Sequence, residues 1–183
     1  MNPTTLPPWE QGVRQGGNMD KLAMYENLLT FKRIMDKNGI PFVFIFGGLL
    51  GLIRGGDLID YDTDVDFACF GEYHTKMAPV VKEMRENGFN VLDRDICPLH
   101  DHFMIRNGEK IELWWFDRIG DKRIYDYKVQ YDRRFFDVLE EVTFLGVKWK
   151  VPFNPKKFLE ITYGPTWVTP NPNGSYILGR DAK

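Results

Sequence analysis

Gly47-Gly48-Leu49-Leu50-Gly51-Leu52-Ile53-Arg54-Gly55-Gly56-Asp57-Leu58-Ile59-Asp60-Tyr61-Asp62-Thr63-Asp64-Val65-Asp66-Phe67 is the stretch on which the reading of this 183-residue chain turns. Five carboxylates, Asp57, Asp60, Asp62, Asp64 and Asp66, fall within ten residues. Standing alone, such a run is ordinarily a solvated loop. Asp64 and Asp66, however, alternate with Val65 and Phe67. Successive strand side chains point to opposite faces, so the alternation predicts a strand that aims both carboxylates to one side and anchors its apolar residues in the core. Two carboxylates one strand repeat apart repel each other unless a cation lies between them.

Upstream, Phe42 to Phe46 is short, apolar, aromatic and β-branched, which suits a buried strand. Gly47-Gly48 follow at once, Leu49 to Ile53 resume helical spacing, and Gly55-Gly56 break it. A strand, a glycine turn and a helix start offer bare backbone amides to phosphate oxygens at the positive end of a helix. Gly47 and Gly48 are therefore candidate substrate-binding residues, with Arg54 as a two-donor phosphate fork; a plain tight turn is the alternative.

Further out, Met19 opens a helical pattern with Leu22, Met24, Tyr25, Leu28, Leu29, Phe31 and Met35 on one apolar face, ended by Gly39. Val65 to Phe70 make the second strand, Glu72 to Asn87 a second helix closed by Gly88, and Phe89 to Leu92 a short strand. Asn107-Gly108 between His102–Arg106 and Lys110–Phe116 is a hairpin signal. A second hairpin is expected from Val142–Leu145 and Val147–Val151 around Gly146, followed by a helix over Pro155–Tyr163 ended by Gly164. The layout is α+β, a mixed sheet flanked by helices. Residues 1–18, rich in proline and glycine, read as a flexible arm, and residues 19–183 as a single domain.

The Asn107-Gly108 hairpin supplies a further acid. In Lys110-Ile111-Glu112-Leu113, Glu112 sits between apolar residues in an expected central strand, where an acid needs a metal, a base or solvent as partner. Asp117, at the strand end, is the weaker candidate. Oxygen ligands without nearby His or Cys favour Mg²⁺ or Mn²⁺, and Mg²⁺ commonly combines one or two carboxylates with substrate phosphates. The metal set expected from this pattern is Asp64, Asp66 and Glu112, which are also the expected catalytic residues.

Hydrophobic residues at 43% and charged residues at 27% exclude disordered, collagen-like and coiled-coil classes. Twenty-four basic against 26 acidic residues give a net charge of -2, so no global field draws the chain to nucleic acid or an anionic membrane. No apolar run is long enough to span a bilayer, and the N-terminus is not a signal peptide. With Cys69 and Cys97 expected as reduced thiols, a cytoplasmic location is expected.

The glycine pair, the Asp-Val-Asp-Phe strand and the later Ile-Glu-Leu resemble the signature of the nucleotidyltransferase fold shared with DNA polymerase β. Gly47, Leu49-Leu50-Gly51, Arg54, Gly55, Ile59 and the acids from Asp62 to Asp66 resemble, in more detail, the LicD and fukutin family of phosphocholine and alditol-phosphate transferases. Val151-Pro152, Phe158-Leu159, Tyr163-Gly164, Trp167 and Pro170 resemble that family's closing motif, so the likeness runs from about Phe42 to Pro172. The resemblance implies transfer of a phosphorylated small group, such as phosphocholine, from a CDP-activated donor to a hydroxyl of a glycan or other acceptor. It places Asp62, Asp64 and Asp66 in the metal motif with Glu112 at the later acid, so that the implied metal set is Asp62, Asp64, Asp66 and Glu112 with Asp62 also touching substrate, and it places Arg54 at the arginine after the glycine turn. The chain departs from the family in having Gly47-Gly48 for Gly-Thr or Gly-Ser, Tyr61-Asp62-Thr63-Asp64 for Trp-Asp-Asp-Asp, and Glu112 for Asp. The alternatives are a nucleotidyltransferase moving a nucleoside monophosphate from a triphosphate, and a silent nucleotide-binding module.

Other clusters receive plainer readings. His100 and His102 with Asp101 would make an incomplete zinc set. Trp114, Trp115 and Phe116 could stack on a base or cage a quaternary ammonium, though adjacent strand residues face opposite sides. Lys148-Trp149-Lys150 reads as a hairpin with one wet face.

Overall fold

The computed structural model describes residues 11–92, 102–126 and 129–171. Cys97, His100, Asp101 and Pro172, all named above, lie outside these residues.

Asp20 starts the first helix, α1 (Lys21–Lys37), by accepting a hydrogen bond from the Ala23 backbone N–H. Its buried stripe is Met24, Leu28, Phe31, Ile34 and Met35. Leu22 and Leu29, expected on that stripe, are 76% and 41% exposed; at about 100° per residue they stand on the far side of the helix. Strand β1 (Phe42–Phe44) then runs into helix α2 (Phe46–Gly55). The strand is shorter than its apolar run suggests, because Ile45 already serves as N-cap and Phe46 turns the chain with φ +46°. Gly47 and Gly48 thus lie inside the first helical turn rather than before it.

Strand β2 (Asp64–Phe70) comes next, then a 3₁₀ stretch over Gly71–Lys76 and helix α3 (Met77–Glu86). The single helix expected over Glu72 to Asn87 is therefore divided. Pro79 has no N–H to give and fits the first turn of α3, where amides have no intrahelical partner. Strands β3 (Asn90–Leu92), β4 (His102–Arg106) and β5 (Glu109–Ile119) follow. Asn107 and Gly108 take φ +54° and +83°, the left-handed pair that a two-residue hairpin between β4 and β5 requires.

The chain then adds β6 (Lys122–Tyr125), β7 (Val129–Asp132), the single turn α4 (Arg134–Asp137), the hairpin β8 (Leu139–Phe144) and β9 (Val147–Pro152), and helix α5 (Pro155–Tyr163). The main sheet runs β1-β2-β5-β4-β3, with β6 and β7 extending from the far end of β5. All neighbours are antiparallel except the central pair β2 and β5, which are parallel. The sheet is therefore mixed and flanked by helices, as the sequence suggests. One face packs Phe31, Phe42, Phe44, Phe67 and Trp149 ring against ring. The parallel pair sets the register on which everything else depends: Asp64 lies opposite Lys110, and Asp66 opposite Glu112.

Candidate active site

Period-2 geometry puts Asp64 and Asp66 of β2 on the same face as Lys110, Glu112 and Trp114 of β5, while Val65, Phe67, Ile111 and Leu113 turn to the other side and are fully buried. Oxygen atoms of Asp64, Asp66 and Glu112 lie within 4.8 Å of one another. Among the described residues this is the one convergence of three metal-ligating side chains. Two further contacts fix it. The Trp114 indole N–H donates to Asp66 Oδ1 at 2.9 Å, and the Ile45 N–H donates to the Asp66 carbonyl at 3.2 Å, tying the start of α2 to the acid strand.

Burial, then the charges of Asp64, Glu112 and Asp62, push the Asp66 carboxyl well above the usual carboxylate range; the Trp114 hydrogen bond works against them. Glu112 is likewise raised, chiefly by burial and also by Asp64, with Lys110 pulling the other way. Such a site holds protons when empty of cations and loses them when a cation arrives. All its donors are hard oxygens, which fits Mg²⁺ or Mn²⁺.

A cation is in fact present, and it belongs to the chain. Lys110 Nζ stands 2.9 Å from Asp64 Oδ2 and 3.2 Å from Glu112 Oε2, and lies over the Phe103 ring, 5.1 Å from its centroid. Burial would lower the Lys110 ammonium pKa, but the two acids outweigh it and raise that pKa. Sequence reasoning passed over Lys110 and left Trp114 as one of three aromatic candidates. The alternation Lys110-Ile111-Glu112-Leu113-Trp114 carries the signal, but only the parallel register brings it to Asp64 and Asp66.

Asp62 lies just outside the triad. Its carboxylate rests against Gly47, where any Cβ would collide with Oδ2, and Oδ1 accepts the Thr63 N–H at 3.1 Å. Burial first and the Asp64 charge second push its carboxyl up to about 7. Gly47 therefore makes room for Asp62, whereas Gly48 is packed against core: a Cβ there would meet Phe44 and Val65 at 3.1 Å.

Arg54 stands about 10 Å along the axis of α2 from Gly47, given a rise of about 1.5 Å per residue. Its guanidinium donates to the Trp167 carbonyl, through Nε at 2.7 Å and also through Nη2, and to the Thr169 carbonyl at 3.1 Å. The structure thus binds Arg54 to the segment after α5 and does not bring it to the triad. Asp117 is five residues beyond Glu112, about 17 Å at strand spacing, with its carboxylate against Gly71. His102 is buried, and its Nδ1 accepts the Trp115 indole N–H at 3.0 Å. Lys148 and Lys150 both pair with Glu141 while Trp149 is buried between them, the wet-faced hairpin expected.

The LicD/FKTN/FKRP nucleotidyltransferase domain matches residues 39–154, a span that contains every site residue named above. Aligned over 177 residues, the chain is 26% identical to Ribitol 5-phosphate transferase FKRP of Mus musculus and, equally, of Homo sapiens, covering 82% of this chain and 34% of each relative. The chain thus spans about a third of the length of these curated relatives. The crystal structure of ANT(2")-Ia in complex with adenylyl-2"-tobramycin matches with a TM-score of 0.52 at 12% identity, over 71% of this chain and 69% of that one. At that identity the likeness is one of fold.

Proposed function

The chain belongs to the LicD/FKTN/FKRP nucleotidyltransferase-domain family, and from that membership we propose that it is a Mg²⁺- or Mn²⁺-dependent transferase of a phosphorylated small group. The donor is a CDP-activated alcohol, such as CDP-choline or CDP-ribitol, and the acceptor is a hydroxyl of a glycan or another small molecule. One observation carries this reading: three carboxylates from two parallel strands converge within 4.8 Å on one sheet face.

A divalent cation bound there would neutralise the donor's phosphate oxygens and favour in-line attack of the acceptor hydroxyl on the phosphorus of the transferred group, with the bond to the bridging oxygen broken and CMP leaving. Asp64, Asp66 and Glu112 are the residues that would hold it. Trp114 fixes the orientation of Asp66 through its indole N–H. With a cation bound the three acids would be ionised, and Asp66 or Glu112 would then be able to orient the attacking hydroxyl or take up its proton. Gly47 and Asp62 border the site beside the start of α2, where the first-turn amides of the helix can face donor phosphate.

Thermal shifts with CDP-choline, CDP-ribitol, CTP and ATP, each with and without Mg²⁺, test the proposal. A ligand at a hundredfold excess over its dissociation constant adds about 2.7 kcal/mol to native stability. The largest Mg²⁺-dependent shift is expected from a CDP-linked donor. A larger shift from a triphosphate would make the chain a nucleotidyltransferase in the strict sense, and no metal-dependent shift would refute the proposal.

A further inference from the structure

Among the described residues Lys110 is the one basic group placed among the acids of the site, and it touches two of the three at once. Its ammonium bridges Asp64 on β2 and Glu112 on β5, with Nζ at 2.9 Å from one and 3.2 Å from the other. The three side chains are only 17%, 21% and 10% exposed for Lys110, Asp64 and Glu112, so water screens their attraction weakly. A lysine serving only to tie two strands needs one acid; this one takes an oxygen from each of two prospective metal ligands.

We propose that Lys110 is a built-in competitor for the metal, holding Asp64 and Glu112 in the metal-free protein and yielding their oxygens when the divalent cation enters. The inference rests on the metal-dependent reading of the site given above. An ammonium and a divalent ion cannot share the same two carboxylate oxygens, because like charges at that distance repel strongly in a partly buried setting. Lys110 therefore lowers the affinity of the free protein for metal while keeping the empty acid cluster charge-balanced. Once displaced, the ammonium remains on its flexible stem at the edge of the site, where an arriving diphosphate is its natural counter-ion. Metal affinity is then low in the free protein and higher when a nucleoside diphosphate is present.

Mn²⁺ binding followed by electron paramagnetic resonance tests this without reference to turnover. The proteins are the wild type, Lys110→Met, Lys110→Gln, Lys110→Arg and Asp64→Asn, each with and without CDP, and circular dichroism establishes that each is folded. Without CDP, Lys110→Met and Lys110→Gln are expected to bind Mn²⁺ about tenfold more tightly than wild type, and Lys110→Arg no more tightly, because it keeps the competing charge. CDP should strengthen Mn²⁺ binding in the wild type and do so less in the two neutral variants. If the wild type binds Mn²⁺, Asp64→Asn abolishes it, and neither folded neutral variant binds more tightly, the competitor role is overturned and the metal site stands. If the wild type binds no Mn²⁺ in either condition, or Asp64→Asn binds it as the wild type does, both fall together.

Discussion

The two ends of the acidic run hold the same residue type in opposite surroundings. Asp57 and Asp60, at its start, face the cation of another element: Lys21 Nζ lies 2.9 Å from Asp57 Oδ2 and 2.5 Å from Asp60 Oδ1. Asp57 also accepts the Tyr25 hydroxyl at 2.5 Å and the Leu58 N–H at 2.7 Å. Burial alone would raise the Asp57 carboxyl, but the hydrogen bonds from Tyr25, Lys21 and Leu58 together hold it below the usual range. Asp62 and Asp66, toward the end of the run, face other acids and are pushed up. The first arrangement is a satisfied clasp between α1 and the loop. The second is a concentration of like charge that an interior would not retain for stability alone, since unpaired buried charge costs native stability. What separates the two sets of carboxylates is the partner each one meets, not its place in the run.

Replacing acids at each end breaks or sharpens that contrast. The largest effect is expected at the far end of the run, where Asp64→Asn or Asp66→Asn should reduce Mn²⁺-dependent transfer to background and leave the far-ultraviolet circular dichroism unchanged. Full activity of either variant at ordinary metal levels would remove the pair from the chemistry. Glu112→Gln should cost on the order of 10²-fold in rate, with near-native stability, and Glu112→Asp should cost less.

A third effect concerns pH. Asp62 titrates at about 7 in the fold against 3.8 for an ordinary Asp, so between these values the native state holds a proton that the unfolded chain has released. Its contribution is thus favourable below about pH 4 and is lost as pH rises toward 7. Asp66 and Glu112 are raised too and act in the same direction. In metal-free urea denaturation, Asp62→Asn should gain stability over wild type at pH 7.5, on the order of a few kcal/mol, and little or none at pH 4. A constant difference across that window would show that Asp62 is ionised throughout. The same protons make metal binding weaken as pH falls. The smallest effect belongs to the clasp. Asp57→Asn should cost about 1 kcal/mol or less, since its side chain is 43% exposed, and should leave Mn²⁺ affinity unchanged.

Much of this is legible in the sequence alone. The alternation Asp64-Val65-Asp66-Phe67 fixes a strand with both acids on one face, and Asn107-Gly108 fixes the hairpin that carries Glu112. The pairing of β2 with β5 was not legible, because a parallel neighbour far along the chain leaves no local pattern, and with it went Lys110 and the particular role of Trp114. The partners of Arg54, the carbonyls of Trp167 and Thr169, come from more than a hundred residues away and could not be read from its spacing to the glycines. The close packing of Gly48 was equally illegible, since a glycine that admits a phosphate and one that admits Phe44 and Val65 look alike in sequence. β6, β7 and α4 gave no clear periodic signal in the short, mixed segments that form them.

The most direct test of the whole reading is anomalous diffraction from crystals of the wild-type protein grown with Mn²⁺ and CDP. A peak is expected on the sheet face between the carboxylates of Asp64, Asp66 and Glu112, about 2 Å from at least two of their oxygens, with Lys110 Nζ moved off Asp64. A peak at Asp57 and Asp60 instead, or none at the triad with Mn²⁺ in large excess, would contradict it.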